Sequence, residues 1–237
     1  MIRSSEVSQV SQPTFPAPES SGARSKQSRR SFLHRSVLTG AAAGTVAVLA
    51  TSRKAEAGFF GGHAHAAGIF REIQGNENAH VAFIQGLLGS AAFPRPEYVN
   101  LVPRTVEEFA NMSRTFETVG ANTYLGAFPV FNQPQILADA GSIAEIEARQ
   151  AGVVSTLLGF PLNDDDAHFE SPLTPPQAAN MAMGFFADPE LVVSLANAIQ
   201  STRSDANDIA IFRFALSLEY LESTFYNLNV PRFFGGD

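Results

Sequence analysis

Glu77 and His80 stand three residues apart, and so do Glu147 and Gln150, each pair inside a run whose other regularly spaced positions are mostly apolar. On a helix that spacing puts both side chains on one face, so each pair turns a carboxylate and a second donor the same way. A carboxylate in a protein interior is costly unless it is paired, protonated, hydrogen-bonded or bound to a metal. Several converging carboxylates repel one another and need a shared proton or a cation to stay together. A pair of divalent ions meets that need by matching acidic ligands from separate helices with metal charge. A lone histidine on a helix is commonly a satisfied polar core residue, but Glu77 beside His80 favours ligation. His63 and His65 read as exposed rather than catalytic.

The elements that must carry these residues follow from periodicity. Beyond residue 57 no alternation of period two is evident, whereas apolar residues recur at three and four over four long stretches. The first, 64–88, ends at Gly89 and has the stripe Ile73, Glu77, His80, Ile84, Leu87. The second, 105–127, is stopped by Pro129 and turns Phe109, Met112, Phe116, Gly120 and Thr123 inward. Its Glu117 lies one step beside that face, in line with Ser113, Gly120 and Tyr124. The third follows Asn132 as a cap and runs to 158, before Gly159 and Pro161, with Ile136, Ala140, Ile143, Glu147, Gln150, Val154 and Leu157 in register. Gly141 offers a later start at Ser142, which has Glu145 at the capping-box distance. The fourth, 205–229, carries Ile211, Phe214, Leu218, Leu221 and Phe225.

Helices of this length each span roughly 30 Å, so the expected fold is all-α: a four-helix bundle with additional short helices near 177–186 and 189–200. Between them Asp164, Asp165 and Asp166 read as a solvated loop. They are adjacent rather than alternating, which does not fit a calcium loop.

Composition narrows the chemistry. The 237 residues include no Cys and no Trp, which excludes a disulfide scaffold, an iron–sulfur centre and a thiol enzyme. Residues 1–57 hold 8 basic and 3 acidic side chains, whereas 58–237 hold 8 basic and 20 acidic ones and no lysine. The second region should repel phosphate backbones, so no nucleic-acid partner is expected. Its 180 residues suffice for one domain burying roughly 70% of its unfolded surface.

The sequence therefore divides into 1–57, an unfolded extension with a signal, and 58–237, the helical domain. Ser28-Arg29-Arg30-Ser31-Phe32-Leu33, the apolar stretch 37–49 and Ala55-Glu56-Ala57 resemble a bacterial twin-arginine export signal. The resemblance implies a periplasmic or extracellular location. The stretch is short of the about 20 apolar residues a span requires, so no stable membrane span is expected after cleavage.

Four motifs carry a second resemblance: REIQGNENAHVAFIQGLL (71–88), FETVGANTYLGA (116–127), SIAEIEARQAG (142–152) and FALSLEYLESTFY (214–226). Together they resemble the ferritin-like superfamily, specifically the desiccation-related ferritin-like proteins. The resemblance implies a ferritin-like four-helix bundle in which two helices each give a Glu-x-x-His pair and two each give one glutamate. It assigns Glu77, His80, Glu117, Glu147 and Glu219 as metal ligands, with Gln150 standing where a histidine belongs. Glu222 is a substitute ligand. Tyr124 and Tyr226 are candidates for hydrogen-bonding the carboxylates, and equally for packing.

Because glutamine is a weak neutral donor, an asymmetric pair of ions, a single ion or no functional metal remain open, with iron or manganese the expected element. The stretch similar to the family's first helix comes last, as in a circular permutation, and it could also swap into a second copy, so a homo-oligomer or a helix-swapped dimer is among the expectations. The implied functions are an exported, desiccation- or stress-associated protein with a degenerate di-metal site, an iron- or manganese-dependent oxidase or peroxide-reacting protein, and a non-catalytic structural or assembly protein.

Overall fold

The computed structural model describes residues 63–162 and 168–235, all within the compact unit Gly40–Asp237. The export signal, the 57/58 boundary and the Asp164–Asp166 loop lie outside the described residues. Among the described residues six α-helices follow in order: α1 His63–Leu88, α2 Val106–Ala127, α3 Pro134–Leu157, α4 Pro175–Ala182, α5 Pro189–Asn197 and α6 Asp205–Phe234. The long helices α1, α2, α3 and α6 form the bundle, and the short α4 and α5 pack against α2 and α6.

The most extensive packing is α2 on α3 and α1 on α6, and these two pairs face each other. Cross-helix contacts give the directions. Gln74 and Asn78 meet Asn227 while Gln85 meets Tyr220, so α1 and α6 are antiparallel. Ser113 meets Tyr226 and Tyr124 meets Glu219, so α2 is also antiparallel to α6. Hence α1 and α2 run parallel and need the long crossover between residues 88 and 106, whereas α2 and α3 are joined by a short turn.

The crossover is pinned to α6. Arg95 donates to the Tyr220 carbonyl at 2.9 Å and the Thr224 hydroxyl at 2.7 Å, with its guanidinium 4.6 Å above the Tyr220 ring. Tyr98 donates to the Ser217 carbonyl at 2.9 Å.

Helix ends follow local chemistry. The Thr105 side chain caps α2 by accepting from the Glu108 amide, and the Ser204 side chain caps α6 through Asn207. Gly89 and Gly159 adopt positive φ just past α1 and α3, where a left-handed residue closes a helix.

Several expected boundaries move: α4 runs Pro175–Ala182 rather than 177–186, and α5 ends at Asn197 rather than 200. Helix α3 starts at Pro134, with Gln133 at the N-cap, and runs unbroken through Gly141, so neither Asn132 nor Ser142 begins it. The reason is a cap supplied by another helix. Asp208 of α6 accepts from the Asn132 amide at 2.7 Å and the Gln133 amide at 3.1 Å, placing a carboxylate at the start of α3. Helix α6 extends beyond residue 229 to Phe234, with Pro231 tolerated in its last turns.

Two apolar clusters fill the bundle. One is aromatic, with Phe109 in contact with Phe70 (4.7 Å between centroids), Phe225 (5.1 Å) and Phe234 (6.0 Å). The other gathers Ile84, Leu88, Tyr124, Ile143, Phe212 and Leu216. The acidic residues occupy the interior of the same four helices.

Candidate metal centre

Each bundle helix delivers acid to this interior. Helix α1 brings Glu77 and His80, α2 brings Glu117, α3 brings Glu147 and Gln150, and α6 brings Glu219 and Glu222. Glu77, Glu117 and Glu147 are fully buried, and His80, the most exposed of the seven, reaches only 8%. Helical stripes explain the convergence, since the neighbours one turn away on the same faces, such as Ile73, Ile84, Ile143 and Val154, belong to the apolar core.

The geometry centres on His80. Its Nδ1 lies 3.4 Å from Glu77 Oε2, 3.3 Å from Glu147 Oε1 and 3.2 Å from Glu219 Oε2, aligned with none of them as a hydrogen bond. One donor atom from each of these four residues lies within 4.8 Å of the others. Two ligands at about 2.2 Å from one ion are at most roughly 4.4 Å apart, so a slight contraction would bring the group into coordination range.

Two tyrosines hold carboxylates from behind. Tyr124 donates to Glu219 Oε1 at 2.8 Å, and Tyr226 donates to Glu117 Oε1 in a very short hydrogen bond while pairing with the Ser113 hydroxyl. Glu117 adjoins Glu147, and the Gln150 side chain bears on Glu77.

Space for the acids is made by Gly120, one turn beyond Glu117. A Cβ there would stand 2.4 Å from Glu147 Oε2 and 3.4 Å from Glu222 Oε1. Any other side chain would force the Glu147 carboxylate to shift.

The electrostatics of the bare protein are frustrated. Burial drives Glu117, Glu147 and Glu222 far above the usual carboxylate range, and the charges of neighbouring glutamates push the same way. Burial also raises Glu77, against the pull of His80, to about 7. For His80 burial favours the neutral imidazole, but the Glu219 and Glu77 carboxylates more than reverse this and raise it to about 11. Protons thus supply the positive charge that keeps the acids together.

Even so, both oxygens of Glu77 and of Glu147, Glu117 Oε2, Glu219 Oε2, His80 Nδ1 and both amide atoms of Gln150 have no hydrogen-bond partner among the described residues. Each such atom costs about 1–3 kcal/mol in a core. Converging hard oxygens with one imidazole suit iron(II) or manganese(II), so the residues fit a metal.

A helical bundle whose four long helices each turn carboxylates into one dry cluster defines the class of carboxylate-lined metal-binding bundles. A family model described as a ferritin-like domain matches residues 33–160, and the chain belongs to that family. No curated protein and no solved structure matches it. Among the described residues no helix is long and apolar enough to cross a membrane.

Of the residues singled out from sequence, Glu77, His80, Glu147 and Glu219 form the tightest group, with Glu117, Gln150, Glu222, Tyr124 and Tyr226 around it. His65 is exposed, apart from the cluster. Sequence reasoning missed what Gly120 does and missed Asp208. Gly120 showed only as a small residue on an inward face, and its requirement comes from α3. Asp208 sits in the first turn of α6, where an acid is ordinary and gives no sign of reaching another helix.

Proposed function

We propose that the chain is an exported metalloprotein of the desiccation-related ferritin-like kind that binds one or two iron or manganese ions and reacts with dioxygen or peroxide in a stress-protective role. One observation carries this reading: the cluster of buried carboxylates whose unpartnered atoms converge on His80. Without a cation the cluster is destabilising, and selection for structure alone would favour apolar side chains of similar volume.

Glu77, His80 and Glu219 would hold one ion, and Glu117, Glu147 and Gln150 would complete the ligation. The metal, when bound, supplies one-electron redox chemistry. The chain's own part is binding, orientation and exclusion of water. Tyr124 fixes Glu219, Tyr226 fixes Glu117, and the two apolar clusters keep bulk solvent out.

A circular permutation accounts for the topology. The long crossover joins α1 to α2 and the short turn joins α2 to α3, with α6 last in the chain. Export and the two-region division rest on the arginine motif and the charge asymmetry of the sequence, and a homo-oligomer, with or without exchange of α6, remains part of the proposal.

The test is consumption of hydrogen peroxide or dioxygen by the full chain loaded with iron(II) or manganese(II), against a Glu77→Gln/His80→Gln variant loaded alike. Turnover by the unsubstituted chain alone supports the reading. Equal rates in both overturn the reactive role and favour a structural one.

A further inference from the structure

Glu219 and Glu222 are three apart on α6, the spacing that carries Glu77 with His80 on α1 and Glu147 with Gln150 on α3. Glu222 is 3% exposed, and the charges acting on it are those of Glu77, Glu219, Glu117 and His80. It is therefore a fifth carboxylate of the same interior rather than a surface acid.

Its place relative to α3 is set by Gly120. The one point that a Cβ on residue 120 would fill lies next to oxygens of both Glu147 and Glu222. The absence of a side chain there lets an acid from α3 and an acid from α6 approach the same space. One turn along α3 from Glu147, Gln150 has two amide atoms with no hydrogen-bond partner among the described residues although the side chain is 4% exposed. An amide oxygen is a weak, neutral donor. Glu117 and Glu147 with Gln150 alone would leave an ion there with two charged donors, whereas Glu222 adds a third.

We propose that Glu222 is a metal ligand at the Gln150 end of the cluster, completing an all-oxygen position beside the His80 position. The inference rests on the metal-binding reading above and goes beyond it by giving the two ends different chemistry. The His80 end combines imidazole with carboxylate, which suits iron or zinc, whereas the Glu222 end has only hard oxygen donors, which suit manganese(II).

Crystals of the full chain grown with manganese(II), with anomalous data at the manganese edge, test the assignment without any substitution. The expected result is two peaks, one of them within about 2.6 Å of a Glu222 oxygen. A peak at the His80 end only, or a second peak beyond the reach of Glu222, overturns the role of Glu222 and leaves the metal-binding reading intact. No peak at all overturns both. In solution, Glu222→Gln should keep the first manganese(II) and bind the second at least about tenfold more weakly, the smallest loss expected even for a group that only supports a ligand. Adding Gln150→His to that variant should restore the second ion. Two ions held by Glu222→Gln as tightly as by the unsubstituted chain would overturn the proposal.

Discussion

Raising the pH should destabilise the metal-free protein, and the size of the effect follows from Glu77. Burial raises its carboxyl to about 7 in the folded chain, against 4.5 for an ordinary glutamate. The folded state therefore binds more protons than the unfolded state between these values, and stability falls as pH rises through that window. At about 1.4 kcal/mol per unit the Glu77 contribution is about 3 kcal/mol. Glu117, Glu147 and Glu222, also raised by burial, act in the same direction from 4.5 upward. His80 does too: its favourable contribution is complete below 6.5 and is lost as pH approaches about 11. Asp205 is lowered by hydrogen bonds from Gln133 and Asn132, and its window lies below 3.8, outside this range. The assay is urea unfolding of the full chain in chelator at several pH values from about 5 to about 8, repeated with saturating manganese(II). Stability should fall by about 3 kcal/mol or more in chelator and much less with metal, because the ion binds the deprotonated acids. A flat or rising profile in chelator would refute the reasoning.

Three further outcomes follow from the same geometry. Gly120→Ala would gain about 0.5–1 kcal/mol of helix propensity but drives a methyl group against Glu147, so metal binding measured by calorimetry should weaken sharply while the helical circular dichroism persists. Tyr226→Phe removes the hydroxyl that donates to Glu117 and should cost about 1–3 kcal/mol of metal-free stability in chemical unfolding, with Ser113 also losing its partner. Metal uptake should release protons near neutral pH, since the ion replaces protons held by Glu77 and its neighbours. Titration calorimetry in two buffers of different ionisation enthalpy should give a heat that depends on the buffer.

The bundle was legible because apolar residues recur at spacings of three and four along each of its four long helices. Ile73, Glu77, His80 and Ile84 mark α1, and Ile143, Glu147, Gln150 and Val154 mark α3, with the acids at positions where leucine would be ordinary. Helix α6 was harder to read, because α1, α2, α5 and the crossover cover it on several sides and buried residues occur around its whole circumference. Its glutamates stood out through resemblance to a known pattern rather than through periodicity. The start of α3 was misplaced because its cap, Asp208, lies 76 residues away in the chain, and local signals carry no trace of it. The cradle at Gly120 was hidden for the same reason. Its meaning depends on which carboxylate of α3 comes to rest against α2, which only the packed bundle decides.

The central claim is that the buried acids exist to hold metal. Elemental analysis of the full chain and of Glu77→Gln/His80→Gln, each loaded with manganese(II) or iron(II) and then desalted, tests it most directly. The account predicts about one or two ions per unsubstituted chain and only trace metal in the variant. Equal trace amounts in both, with both chains folded, would contradict it.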